Sequence, residues 1–404
     1  MLFIKLRFAL LNSFWIRKLS VYMLKYIYKL IFSPVLVKEN TYHFQSFNGD
    51  FICDSPWFLY EELDRRVSGN FVWVVNNISE LNMCRFREKR NVRFVKFGTI
   101  HYYISLARAS VIFSNSRLPY FFSKKKSQIY IQTWHGTPLK KIGLDIGCST
   151  NDFTSYRAID LAYRVERDNI DIFVSPSPYA SDKFCTSFAI DKGKILEFGY
   201  PRNDILVKKC HDLNYITKIK VNLGIPINSK VILYAPTYRD NSVDNNGVYH
   251  ASNLLDSPGF IRNFPEDVIF LFRGHYFSKV GINKDRFIDV SYVNEIAELY
   301  LISDVLITDY SSVFFDFALL NKPIYFYMPD FFEYKNKVRG FYLKIPDFLP
   351  GMVVHNEEVL AEKILNDNFE MCDHKYFNEI YNPYEDGNSS ARYINYILNV
   401  NSGS

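Results

Sequence analysis

What this chain lacks narrows its chemistry. Its six cysteines, Cys53, Cys84, Cys148, Cys185, Cys210 and Cys372, show no CxxC spacing. Neither a zinc site nor a disulfide framework is indicated, and a reducing compartment fits best. No GxxxxGK[ST] and no strand-associated GxGxxG occurs, which removes P-loop and dinucleotide-binding enzymes. No two aspartates stand two positions apart, so the Asp-x-Asp metal clamp of many nucleotide-sugar enzymes is missing. A bound diphosphate would be met by Arg, His, Lys and helix dipoles, and neither a metal nor a cofactor is expected. No uninterrupted apolar run approaches the ~20 residues that cross a bilayer. Net charge is small, +5 over 404 residues, and no aromatic-basic RNA motif is present, so no nucleic-acid partner is expected.

What is present describes a folded protein with an unusual start. Hydrophobic content of 48% against 23% charged residues fits a globular chain, and the length suits two domains. Residues 1–34 mix large apolar side chains with recurring basic ones and carry no small-residue cleavage site, so they are expected to stay attached. At about 100° per residue, Arg7, Lys18, Lys25 and Lys29 fall on one narrow stripe. The spacing predicts a basic amphipathic helix over 1–36 whose cations face an anionic membrane surface. An ordinary helix packed on the domain is the alternative.

From about residue 40 the pattern alternates short apolar runs with amphipathic segments, the signature of α/β layering. Strands are expected at Phe71–Val75, Val111–Ser114, Ile129–Thr133, Asp171–Ser175 and Ile195–Phe198, then at Lys230–Ala235, Val268–Arg273, Phe287–Val290, Val305–Thr308 and Ile324–Tyr327. Helices are expected between them, including Trp57–Arg66, Ala251–Asn263 and Val313–Leu320. Two Rossmann-like domains, 37–207 and 208–404, would face each other across a cleft, with ligands beyond the carboxyl ends of the strands.

His135 stands at such an end. Strand Ile129–Thr133 delivers it to Gly136, after which Thr137 offers an N-cap oxygen and Pro138 suits a first helical position. A helix mouth there would hold a phosphate beside an imidazole able to move protons near neutral pH. Taken alone, His135 could equally be a histidine that hydrogen-bonds a turn. Other polar residues gather at strand exits in the second half: Thr237 and Arg239 in PTYRD, Arg273 and His275 in RGHY, and Thr308, Asp309, Ser311 and Ser312 in TDYSS. Each has a structural reading as a cap, turn or surface ion pair. Together they point to a nucleotide-diphosphate site.

These motifs resemble the CDP-glycerol glycerophosphotransferases, the primases and polymerases of wall teichoic acid and related capsule enzymes. The resemblance rests on WHGTPLK at 134–140, SPSPYASDKF at 175–184, GYPRNDIL at 199–206, APTYRD at 235–240, RGHY at 273–276, TDYSSVFFDFALLNKPI at 308–324 and RGFYL at 339–343, in that order. With SFNGDFICDSPWFLYEEL at 46–63 it covers roughly residues 45–355. It implies the glycosyltransferase-B fold, a peripheral place on the cytoplasmic face of the bacterial membrane, and polyol-phosphate transfer from CDP-glycerol or CDP-ribitol. The acceptor is a hydroxyl of a lipid-linked saccharide or polyol phosphate, and CMP is released. His135 and His275 are implied as the catalytic pair. Thr237, Arg239, Arg273, Thr308, Asp309, Ser311 and Ser312 then bind the donor, with Gly136, Thr137 and Lys140 near phosphate or acceptor. Where many members carry Pro-Gly-Pro after RGFYL, this chain has Pro350, Gly351 and Met352. A glycosyltransferase of the same fold, moving a sugar, is the alternative function.

Overall fold

The computed structural model describes residues 14–77, 86, 91–147, 156–237, 255, 258–274, 287–331, 340–345, 348–367 and 370–402. The chain forms two compact units, one made of Met1–His135, Lys141–Arg202 and Asn388–Ser404, the other of Gly136–Lys140 and Asn203–Gly387. The sequence pattern placed the boundary at residue 208 and everything after it in the second unit. The division instead falls inside the turn-rich Gly199–Asp204, and the C-terminal helix Ser389–Ser402 returns to the first unit. The reason is specific pairing. The Tyr393 hydroxyl donates to the Leu196 carbonyl at 2.6 Å, and Arg392 donates to the Phe198 carbonyl at 2.8 Å.

The first unit holds seven parallel strands: β1 (Lys38–Gln45), β2 (Asn70–Val74), β3 (Val92–Val95), β4 (Ala109–Ser114), β5 (Ile129–Gln132), β6 (Ile172–Ser175) and β7 (Ile195–Glu197). Their order is β3-β2-β1-β4-β5-β6-β7. Helices α1 (Phe14–Phe32), α2 (Asp54–Asp64), α3 (Ile100–Arg108), α4 (Tyr156–Arg167) and α5 (Pro178–Ser187) belong with it. Strands β4 to β6 are runs of buried Val, Ile and Phe, the composition that parallel strands need when both faces are covered.

Central β1 breaks that rule and was invisible in the hydrophobic pattern. Its sequence KENTYHFQ is mostly polar, yet Thr41 to Gln45 are all buried between β2 and β4. Helix α3 supplies the partners: His43 Nδ1 meets Ser105 Oγ at 3.0 Å, and Tyr102 donates to Gln45 Oε1 at 3.0 Å. Burial pushes the His43 pKa down to about 3, so the ring is neutral and structural.

The second unit has six parallel strands, β8 (Lys230–Ala235), β9 (Val268–Phe272), β10 (Phe287–Asp289), β11 (Val305–Thr308), β12 (Ile324–Tyr327) and β13 (Met352–Val354), in the order β10-β9-β8-β11-β12-β13. Its helices are α6 (Asp204–Lys209), α7 (Leu213–Asn222), α8 (Pro258–Arg262), α9 (Ile296–Ile302), α10 (Val313–Phe317), α11 (Glu357–Asn366) and α12 (Lys375–Tyr381). The helix expected over Ala251–Asn263 is described only from Pro258. The short strands β3 and β13 were not expected, because edge strands of three or four residues carry little periodicity.

Helix α1 packs on the first unit through Val21, Tyr28 and Phe32, with the Tyr28 ring against Tyr103, Phe121 and Phe122. Each such buried side chain contributes roughly 2 kcal/mol. The expected basic stripe is not its outward face. Lys18 and Lys25 are half-buried on the packed side, where Lys25 feels Asp168, while Trp15, Leu19, Tyr26 and Leu30 are each 64% exposed or more. The outward face is apolar because the apolar stripe is wider than the domain can cover. Lys29 is exposed, and Arg7 lies outside the described residues.

Candidate active site

In an open parallel sheet, ligands bind beyond the carboxyl ends of the strands where the strand order reverses. In the first unit that point lies between β1 and β4, and His135 is built around it. Asn115, fully buried, follows β4 directly. Its backbone carbonyl lies 2.8 Å from His135 Nδ1. A carbonyl only accepts, so Nδ1 carries the proton and the neutral ring keeps a lone pair on Nε2. The Asn115 carboxamide accepts from the Phe47 N–H at 2.8 Å and donates to Asp54 Oδ2 at 2.9 Å. The Trp134 ring lies 4.1 Å from the imidazole centroid at 30°, and Phe47 stands 5.8 Å away.

This setting is strained. Phe47, Asn48, Asp54 and Trp134 all have positive φ, between 46° and 63°. Each such non-glycine residue costs about 1–3 kcal/mol and persists only where surrounding contacts enforce it. Gly49, at φ 90, lets the loop approach β2, since a Cβ there would lie 2.8 Å from the Val74 side chain. Burial pushes the His135 pKa below its ordinary value; the Asn115 hydrogen bond and the Asp54 carboxylate oppose this, and Arg202 adds to it. The residue nonetheless keeps an exposed face. The lowering therefore comes from dense protein around the ring and is moderated by water.

In the second unit the order reverses between β8 and β11. Asp309 Oδ1, buried, accepts from the backbone N–H groups of Thr237 and Tyr310, each at 2.6 Å, tying the two strand exits together. Thr308 donates to the Ala235 carbonyl at 2.8 Å. Asp309 and Thr308 thus shape the backbone here. Ser312 stands at the N-cap position of α10 without a side-chain cap bond, and both Ser311 and Ser312 are half-exposed. A Cβ on Gly136 would lie 3.1 Å from Ser312 Oγ, so glycine is what lets this segment approach the helix start. The hydroxyls of Thr137 and Thr237 are buried without a hydrogen-bond partner. Buried orphan hydroxyls in a native fold call for an unseen partner such as a ligand or water.

The helix expected after His135 does not form. Leu139 accepts from the Tyr342 N–H at 2.9 Å, and Lys140 makes an antiparallel bridge with Phe341. Those backbone groups are engaged sideways and cannot close helical turns; the nearest helical stretch is one 3-10 turn at Gly143–Ile146. Arg273 reaches the Val293 carbonyl at 2.6 Å from the exit of β9. Arg239 and His275 lie outside the described residues. The structure therefore brings Gly136 to Ser312 and Thr237 to Asp309 within the second unit, with Thr308 bonded to Ala235, and gives His135 its own set in the first. Among the described residues no cluster of His, Cys, Asp or Glu could hold a metal.

Residues 27–399 match the family described as CDP-glycerol:poly(glycerophosphate) glycerophosphotransferase. The chain belongs to this family. It is 37% identical over 351 residues to the teichoic acid glycerol-phosphate transferase of Staphylococcus aureus (strain NCTC 8325 / PS 47), covering 86% of this chain and 89% of that one. It is 35% identical over 345 residues to the teichoic acid poly(glycerol phosphate) polymerase of Bacillus spizizenii (strain ATCC 23059 / NRRL B-14472 / W23), covering 84% and 87%. Among solved structures it resembles the wall teichoic acid polymerase TagF, with a TM-score of 0.83, 30% identity, and 96% and 98% of the two chains covered. The family resemblance stated from the motifs is thereby shown, together with an α/β fold of two parallel sheets.

Sequence reasoning missed the surroundings of His135 in this glycerophosphotransferase: Asn115 and Trp134 against its ring, Asp54 on the Asn115 carboxamide, and Arg202 beside Asp54. Asp54 lay inside the SFNGDFICDSPW segment and Arg202 inside GYPRND, so both were in view but without a role. The available signal was weak. It was an aspartate at the first position of an apolar helix, and an asparagine just after a strand.

Proposed function

We propose that this protein transfers glycerol phosphate from CDP-glycerol to a hydroxyl of a lipid-linked acceptor, releasing CMP. The observation that carries this is the contact of His135 Nδ1 with the Asn115 carbonyl, from which the tautomer follows. With Nδ1–H given to the Asn115 carbonyl, Nε2 accepts the proton of the acceptor hydroxyl. The freed oxygen attacks the phosphorus that bears glycerol, a new P–O bond forms, and the P–O bond to CMP breaks. His275, carried over from the family pattern, stabilises charge on the phosphoryl group or on departing CMP. The donor is read as bound in the second unit, where the orphan hydroxyls of Thr137 and Thr237 and the Ser312 helix start support a phosphate-binding role, with Arg239 and Arg273 balancing charge. The two units are read as the acceptor and donor halves of a glycosyltransferase-B enzyme.

Glycerol is favoured over ribitol because the relatives named for glycerol phosphate are 34–37% identical, while those named for ribitol phosphate are 26–30% identical. Purified protein given CDP-glycerol, CDP-ribitol or a UDP-sugar, with a lipid-linked disaccharide acceptor, is expected to release CMP from CDP-glycerol and add glycerol phosphate to the acceptor by mass. Release of UDP from a UDP-sugar, with no CMP from either CDP donor, would make it a glycosyltransferase.

We infer that the protein sits on the cytoplasmic face of the membrane, at its surface. No helix among the described residues is long and apolar enough to cross a bilayer. Helix α1 instead presents Trp15, Leu19, Tyr22, Met23, Tyr26 and Leu30 outward, contains no acidic residue, and is flanked by exposed Arg17 and Lys29. An apolar face with cations beside it suits an anionic lipid surface. In flotation with phosphatidylglycerol vesicles the protein is expected to rise with lipid, and Leu19→Glu with Tyr26→Glu to leave it at the bottom. Both positions are exposed, so the fold is untouched; flotation unaffected by the double change would refute this placement.

A further inference from the structure

The Asp54 side chain sits in an odd place for an acid. It opens α2 with φ 63, is 7% exposed, and accepts from the Ser55 N–H through Oδ1 and from Asn115 through Oδ2. Asparagine tolerates left-handed backbone equally well, but its amide nitrogen cannot accept, so it could keep the Ser55 bond and not the one from the Asn115 carboxamide as well. What aspartate adds is a second acceptor oxygen and charge. Arg202, 6% exposed, places Nη1 3.6 Å from Asp54 Oδ1 and stacks its guanidinium on the Tyr200 ring at 4.2 Å. Asn115 is the link to His135: its carboxamide holds the carboxylate while its carbonyl holds the imidazole.

We propose that Asp54 and Arg202 are positioning residues for the transfer, an opposed charge pair that acts through Asn115 to fix His135 and to balance the charge its ring acquires on taking a proton. The proposal rests on the reading of His135 as the base. The carboxylate favours the imidazolium and the guanidinium opposes it. Among the described residues these are the charged groups acting on the ring; Asn115, Phe47 and Trp134, which also surround it, carry none. In the resting enzyme Arg202 helps keep Nε2 unprotonated. When the acceptor proton arrives, Asp54 steadies the cation.

The test is a titration of 15N-histidine-labelled full-length protein by NMR, with the His135 signal assigned by its loss in His135→Gln. Asp54→Asn is expected to move the His135 midpoint to lower pH and Arg202→Gln to higher pH, while Arg202→Lys returns it toward wild type. Thermal melts of each variant establish folding. Midpoints that do not move, or move in the same direction in Asp54→Asn and Arg202→Gln, overturn the proposal, whatever happens to turnover. The pH profile of CMP release separates the two readings. If the NMR midpoints move as expected and the acid limb of the rate stays put, the charge pair stands and His135 is not the base.

Discussion

His135→Gln is expected to lower the rate of CMP release by roughly 10²–10⁴-fold, the usual contribution of a positioned general base. Glutamine can still donate to the Asn115 carbonyl and keep the contact with Trp134, so the thermal melt should not change. What it lacks is a site that takes a proton near neutral pH. The wild-type rate should rise with pH as His135 loses its proton. Burial sets that limb below the ordinary imidazole value, so the base is already free at neutral pH. The limb should be missing from the residual activity of the variant. A His135→Gln enzyme within a few-fold of wild type, or one that keeps the same acid limb, would place the base elsewhere, with His275 the next to replace.

The sequence was legible where structure is local. Buried strands such as Val305–Thr308 and Ile324–Tyr327 are unbroken apolar runs, and their bounds in the structure match the pattern residue for residue. His135 could be picked out because a strand exit followed by glycine is a local signal. The β1 strand could not, because its polar side chains are satisfied by α3, some sixty residues away in sequence. The helix expected at Thr137–Lys141 failed for a similar reason, since Tyr342 and Phe341 capture its backbone from a distant segment. The support of His135 was hidden as well. Asn115 and Asp54 are 61 positions apart, and the positive φ of Asp54 and Trp134 reflects enforced packing, which no propensity anticipates. Local rules thus singled out His135 and missed the residues packed around it.

Beneath the Trp134 turn a buried ion pair makes a second large effect testable. Glu166, 8% exposed at its side chain, pairs with Arg117, whose guanidinium lies 4.2 Å from the Tyr163 ring centroid. Gln132 lines the same small cavity as Arg117 and Glu166 and accepts from the Trp134 N–H at 3.0 Å. Arg117→Met leaves a carboxylate buried without its cation, a change that costs about 3–5 kcal/mol when both partners are enclosed. Arg117 is 36% exposed, so water offsets part of the loss and about 3 kcal/mol is expected by denaturant unfolding. Burial already raises the Glu166 pKa, Arg117 holds it down, and removing Arg117 raises it further. The folded variant then keeps a proton that the unfolded chain has released. Its stability falls as pH rises from the ordinary carboxylate range, about 4.3, through the folded value. The deficit should therefore be greatest at neutral pH and shrink in acid. Arg117→Met with Glu166→Leu, which removes both charges, should recover most of the stability. If the double variant is as unstable as the single one, the loss comes from the stacking of Arg117 on Tyr163, and the ion pair is not what supports the turn.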